Sequence, residues 1–179
     1  MKTEELKEAL SRQLFSEEAA NVYAVLDGAA VDELLDKLYT HEPEYECLYR
    51  GELEPDMAEV APYLVCLRPD AEFTLWLFEQ GWGQNWGIFV VTDADMRTLR
   101  RHFRTFLIVY DADGKPLYFR YYDPRVLRLY LPTCNDDELE TIFGPVVSYL
   151  LEDEDPQTLL RFRKTTDALN QERLRLDEI

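Results

Sequence analysis

Leu6, Leu10 and Leu14 recur at steps of four near the start of the chain, a spacing that predicts a helix over residues 3–14. The pattern then changes. Residues 21–27 hold Val22, Tyr23, Val25 and Leu26 in a nearly unbroken apolar run, which predicts a buried strand. Gly28 ends it, and Leu34, Leu35 and Leu38 restore a helical spacing over residues 29–39. Strand, glycine, helix is how an α/β unit opens. Residues 45–49 and 63–67 read as further strands, with a polar connection around Pro55 between them. Residues 73–80 read as a buried helix, broken by Gly81-Trp82-Gly83-Gln84-Asn85-Trp86-Gly87, and residues 88–91 as a strand.

Thr92 is the expected N-cap of the next helix, with Asp93 and Asp95 in its first turn and an end near His102. Steps of three and four place Arg97, Arg100, Arg101 and Arg104 broadly on one side of it. Residues 104–110 and 117–122 read as strands joined through Asp111-Ala112-Asp113-Gly114-Lys115, the strongest local signal in the chain. Asp123 before Pro124 predicts a capped short helix through Tyr130, stopped by Pro132. Asn135 or Asp136 caps another, which holds Leu139, Ile142 and Phe143 and ends at Gly144-Pro145. The apolar run 146–151 fits either period. The acidic stretch Glu152-Asp153-Glu154-Asp155-Pro156 reads as a boundary. Beyond it, residues 158–163 suit a strand, and residues 166–177, with Leu169, Leu174 and Leu176, a mostly polar helix. The expected fold is α/β (α+β): a compact domain over residues 1–151 with a mixed sheet and packed helices, followed by a short polar helical appendage over residues 152–179.

Charge narrows the partners. The chain has 179 residues, with 36 Asp plus Glu against 19 Lys plus Arg, a formal net charge of -17. Its 46% hydrophobic and 13% aromatic content excludes a disordered acidic polymer. The negative surface disfavours nucleic acid and anionic bilayers. The excess acid lies toward both ends, while residues 61–120 carry seven acids and seven bases. Cys47, Cys66 and Cys134 are widely spaced and His41 and His102 are the only histidines, so neither a disulfide framework nor a metal or cofactor site is expected. The first helix lacks the apolar core of a signal peptide and no apolar run is long enough to span a membrane, so the expected residence is cytoplasmic.

Catalytic signatures are missing. There is no phosphate-binding glycine loop, no GxSxG and no HExxH. Asp111 and Asp113 sit where a turn favours Asp for backbone reasons, and nothing in the sequence brings Cys66 to His102. No catalytic residue is expected. The candidates for partner binding are Trp82 and Trp86 in the glycine-broken loop, the row Arg97, Arg100, Arg101 and Arg104, and Arg120, Tyr121, Tyr122 and Arg125. Arginine beside aromatics is what interfaces enrich, and guanidinium reads carboxylate in bidentate pairs. Against each stands a structural role: a solvated helix face, a loop packed by its own rings, and an Asp123 that caps a helix and pairs internally.

The fragments Tyr23-Ala24-Val25-Leu26-Asp27-Gly28, Leu48-Tyr49-Arg50-Gly51, Ala61-Pro62-Tyr63-Leu64-Val65, Trp86-Gly87-Ile88-Phe89-Val90 and Leu99-Arg100-Arg101-His102-Phe103-Arg104 recur in order with Phe119-Arg120-Tyr121-Tyr122-Asp123-Pro124-Arg125-Val126-Leu127 and Phe143-Gly144-Pro145-Val146. Together, across residues 22–147, they resemble the DUF4123 family of type VI secretion effector adaptors. The resemblance implies a non-enzymatic, cytoplasmic, monomeric adaptor. It would hold a secreted effector, often by the effector's N-terminal region, and help load it onto the VgrG spike. It also implies a variable C-terminal part and supplies no catalytic residues. Two other classes stay open: an acidic immunity protein that neutralises a basic toxin, and an enzyme whose site the sequence does not display.

Overall fold

The computed structural model describes residues 3–16, 21–111, 113–166 and 168–178. The chain opens with helix α1 (Thr3–Leu14), which buries Ala9, Leu10 and Leu14. Strand β1 (Asn21–Asp27) leads through a 3-10 turn into α2 (Leu34–His41) and β2 (Tyr45–Cys47). Helix α3 (Pro55–Glu59) precedes β3 (Pro62–Leu67), and α4 (Glu72–Trp76) runs into a π turn before β4 (Gly87–Thr92). Helix α5 (Met96–Phe103) is followed by the hairpin of β5 (Ile108–Tyr110) and β6 (Pro116–Tyr118). Helices α6 (Pro124–Tyr130) and α7 (Asp136–Phe143) lead to β7 (Val146–Glu152), β8 (Thr158–Lys164) and β9 (Leu169–Arg175).

Seven strands form one sheet in the order β2-β3-β1-β4-β7-β8-β9, while β5 and β6 pair only with each other. The single α/β domain with packed helices is as expected. The sheet expected to be mixed is antiparallel at each described pairing. The reason is a skipped place. Strands β1 and β2 run the same way on either side of β3, and β3 and β4 run the same way on either side of β1. Each α/β crossover therefore leaves a slot that an opposed strand fills.

The pleat of β1 serves two cores. Tyr23 and Val25 join Ile88, Val90, Leu99, Phe103, Leu127, Ile142, Phe143 and Tyr149 on one face. Val22, Ala24 and Leu26 join Leu10, Leu14, Leu34, Leu38, Phe73, Phe78 and Phe89 on the other. Helices α5, α6 and α7 thus cover one face, and α1, α2 and α4 the other. A strand covered on both sides reads as an unbroken apolar run, as β1 and β4 do.

Two local expectations need correction. The polar helix over residues 166–177 is β9, paired along its length with β8 from Thr158↔Arg175 to Lys164↔Leu169. The appendage is therefore sheet, not helix. Asp167 lies outside the described residues. Leu169 packs on one core and Leu174 on the other, as opposite faces of a strand require. The N-cap of α5 is Asp95, whose carboxylate accepts from the Thr98 N–H at 2.8 Å. Thr92 ends β4 instead. Its hydroxyl donates to the Pro145 carbonyl at 2.6 Å and accepts from the Ala94 N–H at 3.0 Å. Other caps fall where expected, with Asp123 on α6 and an Asn135–Glu138 capping box on α7.

Candidate functional site

Four buried carboxylates gather around one end of the central strands and the start of α6: Asp27, Asp123, Glu152 and Asp153. Each has a partner within the chain. Asp27 caps the turn after β1 through the Ala29 N–H at 3.1 Å and pairs with Arg120. Asp123 accepts from Arg125 N, Nε and Nη2 at 3.0, 3.0 and 2.8 Å. Burial alone would push the Asp123 carboxyl up, but these bonds outweigh it and hold it below the usual range. Asp153 pairs with Arg173. Glu152 accepts from the Asn85 N–H, and burial outweighs the backbone donors of Asn85 and Gly83, raising its pKa to about 7.

These contacts account for much of the expected partner set. Arg120 and Arg125 do read carboxylates, but those of their own chain. Tyr121 and Tyr122 are buried in the core, with the Tyr121 hydroxyl donating to the Phe103 carbonyl at 3.3 Å. Trp82 stacks on Phe89 and donates its indole N–H to the Pro156 carbonyl at 2.6 Å, tying the glycine-broken loop to the β7–β8 turn. Trp86 packs on Trp76 and lines a shallow polar groove with Lys37, Asp32 and Glu33.

The arginine row of α5 divides in two. Arg97 and Arg101 are exposed. Arg100 pairs with Glu46 at 2.6 Å. Arg104 donates to three backbone carbonyls at the end of β2 and just after it, those of Leu48, Cys47 and Tyr49, at 3.0, 2.8 and 2.8 Å. Burial first, then the nearby charges of Arg100 and Arg50, hold its pKa below the ordinary value. Arg104 is thus the clamp that fixes residues 47–49 against α5.

That clamp shapes one wall of a groove of about 470 Å³. Leu48, Tyr49, Arg50, Leu53 and Met57 line it from the segment after β2, Arg104, Thr105 and Leu107 from the end of α5 and the residues after it, and Ile108, Tyr110 and Tyr118 from the hairpin. The hairpin stands clear of the main sheet. Asp111 holds its turn, accepting from the N–H groups of Asp113 and Lys115 at 3.0 and 2.8 Å. Ala112 lies outside the described residues. Tyr110 is 71% exposed and Tyr118 65%. On the reverse face, Val109 lines a smaller groove with Phe119, Tyr130 and the acidic α7 residues Asp137 and Glu138. Leu117, its cross-strand partner, is likewise exposed. Among the described residues, no group of His, Cys, Asp and Glu is placed to hold a metal ion, and no helix is long and apolar enough to cross a membrane.

The sequence reading did not nominate Ile108, Tyr110, Tyr118, Arg50 or Met57. A signal existed. Ile108-Val109-Tyr110 and Leu117-Tyr118 are apolar on both faces of short strands beside a polar turn, which requires either a core on each side or exposure.

The site is thus an open apolar groove beside a projecting hairpin, with the buried acids already paired or hydrogen-bonded. The model of the DUF4123 family, described as a domain of unknown function, matches residues 22–141, more than half of the sequence, and the chain belongs to that family. Comparison with curated proteins and with solved structures gives no match.

Proposed function

We propose that this chain is a cytoplasmic adaptor of type VI secretion. It binds a secreted effector, through that effector's N-terminal region, and helps load it onto the VgrG spike without chemistry of its own. Family membership supports the adaptor class. The observation that carries the reading is the hairpin, which holds Ile108, Val109, Tyr110, Leu117 and Tyr118 in water on its two faces. Apolar surface of this kind is costly unless a partner covers it. Tyrosines at the rim are the side chains that interface hot spots favour. Arg97, Arg101 and Trp86 remain open to a second partner, and Arg104 lines the groove while holding residues 47–49.

The test is co-purification from the native cell with the full chain as bait. The expected result is an effector together with VgrG, both lost when Tyr110 and Tyr118 are replaced by Ser in a folded variant. Recovery of a toxin's active domain without spike protein would overturn the adaptor reading in favour of an immunity protein.

A further inference from the structure

We infer that the groove between residues 48–57 and the β5–β6 hairpin takes an extended apolar segment of a partner protein that carries a carboxylate, which meets Arg50. This rests on reading the groove as a partner surface and deepens it by naming the partner's chemistry.

Charge is the first argument. The residues lining the groove include two arginines and no acid. Arg104 is held by three neutral carbonyls and makes no ion pair among the described residues, the charge of Glu46 acting on it without pairing. Arg100 nearby is matched by Glu46. Arg50 is exposed and has neither an ion pair nor a hydrogen bond among the described residues, although Glu52 and Glu54 follow it closely in sequence. The charges of Arg50 and Arg100 both act on Arg104, which places the three guanidinium groups together. In a chain with 17 excess acids, this end of the groove is a local positive site over an apolar bed. A guanidinium without a partner at such a rim suits a carboxylate, which it binds in bidentate fashion.

Backbone geometry is the second argument. In the hairpin, Asp111 N–H donates to Lys115 O and Phe119 N–H to Leu107 O. Alternation along an antiparallel ladder then places Val109 opposite Leu117 in a hydrogen-bonded pair and turns the N–H and C=O of Ile108 and Tyr110 outward. Pro116 removes a donor from the outer edge of β6, but β5 carries no such block. An extended segment can pair with that edge, and alternate side chains would then face the groove beside Ile108 and Tyr110.

The experiment is a selection of short random peptides displayed with free C-termini on the immobilised full chain, followed by affinity measurement with synthetic copies. The expected peptides alternate apolar residues and carry Asp, Glu or a terminal carboxylate. Arg50→Gln should weaken them about tenfold or more, as loss of a charge-assisted pair does. Neutralising the peptide carboxylate should give the same loss on the native chain and little further loss on Arg50→Gln. Amidating the C-terminus in one set, and replacing Asp or Glu by its amide in the other, tells which carboxylate is read. No enrichment, enrichment without carboxylates, or equal affinity for Arg50→Gln overturns the inference. If effector and VgrG still co-purify in that case, the adaptor reading stands alone. Peptides that behave as expected from a chain that captures no spike protein uphold the inference and remove the adaptor reading.

Discussion

Glu152 sits at the end of β7 under the loop of residues 82–87, where burial lifts its pKa to about 7. The folded state therefore holds a proton that the unfolded chain, with a carboxyl near its ordinary value of 4.5, has released. The sign follows. Stability from this group is full below the unfolded pKa and is lost as pH rises from the unfolded value through about 7. The Asn85 and Gly83 N–H groups, Arg128 and Arg125 offset its burial only in part, and the charge of Asp123 adds to it. Glu152→Gln keeps an acceptor for the loop and removes the titration. Denaturant unfolding of the native chain should lose stability between pH 5 and pH 8, by at most about 3 kcal/mol from this site, and the variant should lose less. Parallel pH profiles for the two proteins would show that the loss arises elsewhere.

At the scale of elements, α5 divides its work between faces. Arg100 and Arg104, one turn apart, hold β2 and the residues that follow it, while Arg97 and Arg101 face water. An ammonium cannot reproduce a planar fork that serves three carbonyls. Arg104→Lys should therefore cost about 1–3 kcal/mol in urea unfolding and weaken groove ligands, whereas Arg97→Glu with Arg101→Glu should stay within about 1 kcal/mol of the native chain. A full-strength groove in Arg104→Lys would show that residues 47–49 are held by other contacts. This division was not legible in the sequence, because helical spacing says which residues share a side but not what lies opposite. The carbonyls that Arg104 holds are 55 to 57 residues away. What was legible is local. The central strands β1 and β4 announce themselves because both faces are buried, and the Asp123 and Asn135 caps because their partners lie within three residues. The edge strand β9 misled for the opposite reason. Its exposed length is polar, and Leu169, Leu174 and Leu176 suit a helix as well as a strand until β8 is beside it.

At the scale of the whole molecule, charge separates the two binding readings. A net charge of -17 makes a field that repels an approaching acidic ligand, and salt screens that field beyond the Debye length, about 10 Å at 0.1 M. The proposed contact at Arg50 acts well inside that length and is screened less. For an acidic groove ligand, long-range repulsion slows the encounter and short-range pairing slows the escape. Raising salt from about 20 mM to about 200 mM should then increase the association rate constant, with a smaller rise in dissociation. A basic toxin meeting an acidic immunity protein shows the reverse, because the same field steers it inward and salt removes the steering. Stopped-flow association of a selected peptide of net negative charge, measured across that salt range on the native chain and on Arg50→Gln, reads both effects. The Arg50→Gln chain should keep the salt-dependent rise and lose mainly residence time. An association rate that falls with salt on the native chain would mean that local positive charge and not the net charge governs the encounter, and equal residence times on the native and Arg50→Gln chains would mean that the groove does not read a carboxylate.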